Sequence, residues 1–206
     1  MHFFCGNYQK HFNVSFFPDR AAFDLARRQT THQPDYKSEC WLVAVGGGRS
    51  INIISPKTWD KEPCDSRYTD YADRVKTQKL ITHELVHVYH GQLNPQTDLE
   101  HMKIDWFTEG LAYYASGQLD AADIKDIKAA IAQNKLPKNL DALSNFGLIN
   151  LRYSISGSVV QYINYKYGRA KLKALLSYTQ NSEILTALKI TPARLLADWR
   201  NYLHGL

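Results

Sequence analysis

The chain has 206 residues, 44% of them hydrophobic, and a formal net charge of +5. That length suits one domain, or one with a helical extension, around a sizeable core. No apolar run approaches the roughly 18 residues that span a membrane, and three cysteines are too few for a disulfide framework.

The opening MHFFCGNYQK lacks a basic region followed by a long apolar stretch, so no signal peptide is legible there. As it stands the chain is expected to be cytoplasmic, or secreted if a leader has been removed, and the compartment stays open. Cys5, Cys40 and Cys64 show no CxxC spacing. Free thiols are the simpler reading, with a Cys40–Cys64 bridge as the alternative in an oxidising compartment.

FNVSFF, from Phe12 to Phe17, reads as a strand ended by Pro18, and Asp19–Arg28 as a helix with Asp19 as N-cap. CWLVAV (Cys40–Val45) and SINIIS (Ser50–Ser55) read as a hairpin around Gly46-Gly47-Gly48-Arg49. A mixed segment, PKTWDKEPCDSRY, leads into a long helix from about Asp70 to His90, closed by Gly91. Beyond it the pattern is helical: Trp106–Ser116 ending at Gly117, then AADIKDIKAAIAQ. After a loop around Leu136-Pro137 come helices near Ile155–Tyr167, Ala170–Thr179 and Pro192–Leu203. The expected class is α+β, a small N-terminal sheet followed by helices. One domain is expected over 1–206, with a sheet-containing part (1–68), a pair of site helices (69–117) and a helical subdomain (118–206).

Charge is uneven: residues 1–120 carry 13 Lys/Arg against 15 Asp/Glu, and residues 121–206 carry 12 against 5. A basic half could attract anionic partners. Its lysines stand singly on helical stretches such as DIKDIKAAIAQNK, so solvated faces are expected rather than nucleic-acid binding.

The long helix contains His83-Glu84-Leu85-Val86-His87. Residues four apart on an α-helix lie about 40° apart around the axis and about 6 Å along it, so both imidazoles reach one point. That spacing suits two ligands of a tetrahedral zinc, and Glu84 borders the metal as a base toward a zinc-bound water. The competing reading is an ordinary helix with incidental histidines. Shuffling eight His and six Glu yields roughly 0.01 such motifs, which favours the metal.

Zinc needs a third protein ligand. His90 lies seven residues past His83, about 10 Å along the helix, too far for the same site; it reads as a helix-end residue near the negative pole of the dipole. The pattern HExxHxxGxxH fails, because the chain has His90 and Leu93 at its last two fixed positions. Glu109, in DWFTEGLAYYAS, is the better candidate. It lies 22 residues past His87 on a second helix, among apolar neighbours where a carboxylate needs a partner. His83, His87 and Glu109 make a His₂Glu set with the fourth position open.

HELVH followed by WFTEGLAYY resembles the gluzincin metallopeptidases, in particular the peptidase MA-like domain family. PDRAAFDLA, SINIISP, LPKNLDALSNF, YSISGSVVQYINYKYGRAKLKALL and ITPARLLADWRNYL extend the resemblance from about residue 12 to 203. It implies a zincin-like fold, a Zn²⁺ cofactor held by His83, His87 and Glu109, and Glu84 as general base and acid. It also implies a peptide or protein substrate, with Tyr153 as donor to the oxyanion. Many relatives carry an acid four residues after the third ligand, where this chain has Tyr113. The orienting role would then pass to Tyr113, Asp105 or a backbone carbonyl, or the domain would bind zinc without cleaving. GGGRSINIIS lacks the glutamate of the aminopeptidase branch, so an endopeptidase-type cleft is expected, with Ser50–Ser55 as the edge strand that pairs with substrate. The basic half would favour acidic peptides or those presenting a C-terminal carboxylate.

Overall fold

The computed structural model of the chain describes residues 3, 4, 6–61, 73–96, 99, 102–136, 139–144 and 149–206. Cys5, Cys64, Pro137, the second half of PKTWDKEPCDSRY (62–68) and the expected helix start at Asp70 lie outside them.

The N-terminal part carries strand β1 (Asn13–Phe17), helix α1 (Arg20–Thr31) and strands β2 (Ala44–Gly47) and β3 (Ser50–Ile54). Pro18 cannot continue a ladder. Asp19 then caps α1, its side chain accepting from the Ala22 amide at 2.9 Å. The sheet order is β1-β3-β2, with β1 parallel and β2 antiparallel to β3. β3 is therefore the central strand, its Ile51, Ile53 and Ile54 all buried, and the expectation that Ser50–Ser55 forms an edge is corrected. Both sides of β3 are taken up by ladders; the edge beside the site helix is β2.

The hairpin also differs from the expected one. Gly46 and Gly47 belong to β2, and the turn is Gly48-Arg49 alone. Cys40 to Leu42 stay out of the ladder because Arg20 holds this segment by its carbonyls. Its guanidinium donates to Glu39 O (2.7 Å), Cys40 O (2.7 Å) and Leu42 O (3.1 Å). Cys40 is disulfide-bonded to a partner outside the described residues, which corrects the free-thiol reading at that position.

Helix α2 runs from Arg74 to Leu93, with Asp73 accepting from the amides of Val75 and Lys76. It continues past Gly91 because Asn94 ends it instead. The Asn94 side-chain amide donates to Leu176 O (2.7 Å) and Tyr178 O (2.9 Å), tying the helix end to the C-terminal half. α2 is buried on two sides. Leu80 and Val88 join a core with the sheet, Phe23 and Trp59, whereas Val86 and Tyr89 join a second core built from the later helices. Each such aliphatic burial contributes about 1.5–3 kcal/mol. Together they hold the helix between the two cores.

The second core is assembled from α3 (Asp105–Ala115), α4 (Ala121–Ala132), α5 (Ile149–Ala174), α6 (Asn181–Leu188) and α7 (Pro192–His204). α5 breaks at Gly168, whose φ of 81° is outside helical geometry, near the Tyr-Gly boundary expected from sequence. α6 was not expected. It is only eight residues long, but a capping box between Gln180 and Glu183 starts it and Ile184, Leu185 and Leu188 bury into the core. α3 crosses α5 at glycine contacts, Gly110 against Ser156 and Gly157 against Tyr113. The α+β order expected from sequence holds. Among the described residues no helix is long and apolar enough to cross a membrane.

Candidate metal centre

His83 and His87 leave α2 on one face, and α3 brings Glu109 opposite them. The two Nε2 atoms are 3.0 Å apart. Glu109 Oε2 lies 3.3 Å from the first and 3.5 Å from the second. Ligands about 2.0–2.1 Å from a tetrahedral zinc are separated by roughly 3.3 Å, so the three atoms have the spacing of a metal shell. Among the described residues this is one group of His, Cys, Asp or Glu that could hold a metal ion.

The protonation pattern agrees with a cation site. His83 Nδ1 lies 2.7 Å from Gln118 Oε1. An acceptor there assigns the proton to Nδ1 and turns the Nε2 lone pair toward Glu109. Burial would push the Glu109 carboxyl up, but His87 above all, with His83 beside it, holds it well below the usual range. Burial likewise works against charge on His87, and the Glu109 carboxylate overrides it, raising its pKa. Two nitrogens and a carboxylate thus converge on a point that calls for positive charge, and a metal ion fits it.

Glu84 lies one residue beyond the first ligand and turns toward β2. Its buried carboxylate accepts from the Gly46 amide; burial raises its pKa against the opposing pull of His83 and His87. The strand passes so close that a Cβ on Gly46 would come within 2.5 Å of Glu84 O and 2.9 Å of Oε2. Glycine is required there by space, a signal hidden in the GGG of the sequence.

Tyr153, from α5, has its ring 6.3 Å from that of His83. Burial pushes its phenol well up, so it keeps its proton and remains a donor. Tyr113 is not available to orient a histidine, because its hydroxyl donates to Asp123 Oδ2 at 2.9 Å in the interior. Asp105 pairs with Arg152. The partner of His83 is Gln118, which sequence reasoning missed; the legible signal was Gly117, whose φ of 77° turns the chain back toward α2. His90 is fully buried, and burial together with His87 lowers its pKa to about 3. It is a core residue between the two clusters, which corrects its reading as a helix-end residue near the negative pole of the dipole.

Two cavities meet at this group. One, about 80 Å³, is walled by Trp41, Leu42, Leu80, Tyr113 and Tyr153 beside His83 and Glu84. The other, about 360 Å³, runs past His87 and Glu109 to Arg27, Tyr36 and Arg152. Among the described residues of 121–206, Arg152 and Tyr153 line these walls, and Lys125, Lys171 and Lys173 lie on the exposed surface. Of the basic C-terminal half, Arg152 therefore lends its charge to the cleft, and these three lysines face solvent.

The family model of the peptidase MA superfamily matches residues 69–205. The chain belongs to that superfamily. The match contains α2 and α3, with both histidines and Glu109, and leaves the N-terminal sheet outside. With its α+β architecture, the fold is zincin-like and of metallopeptidase type. No curated protein and no solved structure matches the chain.

Proposed function

We propose that this member of the peptidase MA superfamily is a zinc-dependent peptidase acting as one unit over residues 1–206. The observation that carries the reading is the convergence of His83, His87 and Glu109, all within 4.8 Å of one another, with Glu84 buried alongside. A zinc ion held by these three supplies Lewis acidity and acidifies water at neutral pH.

The chain's own groups do the remaining work. Glu84, its carboxylate steadied by the Gly46 amide, takes a proton from the attacking water and passes it to the leaving amine nitrogen. The Tyr153 hydroxyl donates to the carbonyl oxygen as that oxygen becomes anionic. β2 offers its free edge to an extended substrate, which would add as a further strand. The apolar cavity beside Glu84 accepts one substrate side chain, and the open cleft on the other side suits an endopeptidase. The second reading, a zinc-binding domain that does not cleave, was motivated by Tyr113 in place of an acid; the Gln118–His83 contact weakens that motive.

Glu84→Gln tests the assignment. Peptide hydrolysis should be lost, with zinc bound one per chain as in wild type. Hydrolysis at the wild-type rate would remove Glu84 from the mechanism, and a wild-type protein that binds zinc but cleaves no peptide library would support the binding domain.

A further inference from the structure

Gln118 stands just outside the ligand set but touches it. Its Oε1 accepts two hydrogen bonds, from His83 Nδ1 at 2.7 Å and from Ser116 Oγ at 3.0 Å. The backbone that carries it is fixed. At the end of α3 the Gly117 amide donates to Tyr114 O and the Gln118 amide to Tyr113 O, both at 3.1 Å. This is the paired 5→2 and 6→1 arrangement of a Schellman turn, with glycine in the left-handed position. The turn that ends the Glu109 helix thereby delivers an acceptor to a histidine on the neighbouring helix.

We infer that Gln118 is a positioning residue of the metal centre, fixing the tautomer and ring orientation of His83 through a neutral amide instead of a carboxylate. This rests on the metal reading above. The choice of an amide has an electrostatic cause. Glu84, Asp105 and Glu109 already line the same cleft. An amide supplies the acceptor without placing a fourth carboxylate beside them. The same side chain lines the apolar cavity, so the residue that orients a ligand is also in reach of the substrate side chain proposed to enter there.

The test is zinc affinity, measured by competition with a chromophoric chelator, for wild type, Gln118→Met and Gln118→Glu. Gln118→Met keeps the length of the side chain and removes the strong acceptor; affinity should fall about 10–100-fold. Gln118→Glu restores an acceptor with added charge and should bind zinc at least as tightly as wild type. Far-UV circular dichroism and the thermal midpoint of the metal-free forms should be alike for all three. A Gln118→Met affinity within twofold of wild type would overturn the assignment, as would Gln118→Glu binding zinc more weakly than wild type. If the wild-type chain itself takes up no zinc, the metal reading falls before Gln118 is tested.

Discussion

Gly110→Ala is the most informative single change, because it couples helix packing to the metal centre. Gly110 follows Glu109 on α3 and presses against the backbone of α5. A Cβ there would lie 2.5 Å from the carbonyl carbon of Ser156 and 3.0 Å from its Cβ, where ordinary contact begins at 3.4 Å. The obstacle is backbone, so about 1 Å must come from separation of two packed helices. Overpacking of this kind costs about 1–3 kcal/mol. In a chain of this size each kcal/mol is about 2–4 °C, so the midpoint of the metal-free protein should drop by about 2–12 °C. Metal ligands tolerate roughly 0.2 Å of misplacement, so zinc affinity should fall as well. Gly157→Ala is the matched control. Its Cβ would meet a side-chain atom, Tyr113 Cδ1, at 3.0 Å, so the clash is milder and spares the α3 backbone. Thermal melts with and without chelator, with a zinc titration of each protein, make the comparison. If Gly110→Ala melts and binds zinc as wild type does, or only as mildly altered as Gly157→Ala, the close crossing does not position Glu109.

Gly46→Ala should lower hydrolysis and zinc affinity together, since the new methyl would meet the α2 backbone at Glu84 O (2.5 Å) as well as the Glu84 carboxylate (2.9 Å); kcat and zinc titration check it. His90 makes the acid limb of stability. Its folded pKa of about 3 lies below the ordinary 6.5 of a histidine, so the unfolded chain binds the extra proton. Stability is full above pH 6.5, falls by up to about 1.4 kcal/mol per pH unit below it, and levels near pH 3. Between pH 7.5 and 5 the His90 contribution is about 2 kcal/mol, and in urea unfolding of the metal-free protein His90→Leu should remove most of that difference. An unchanged pH slope in the variant would mean that another group controls the acid limb.

Much of the centre was legible because its geometry is local. Four residues along a helix bring His83 and His87 to one side whatever else the chain does, and Glu84 follows as their neighbour. Glu109 was legible for a related reason: a carboxylate among Trp106, Phe107 and Leu111 has to be answered by something charged. Capping residues were equally readable, as Asp19 shows. What sequence could not decide were pairings between distant segments. Ser50–Ile54 and Ala44–Gly47 are both plausible edges until β1 is seen to occupy the far side of β3. Tyr113 and Gln118 are both plausible partners for His83 until the turn at Gly117 points one toward it and Asp123 draws the other away. His90 reads as a helix-end residue until two cores close around α2 and remove its water. Helical spacing is set by bonds within one turn, whereas strand order, second partners and burial depend on which remote segments pack together, and only the tertiary structure decides that.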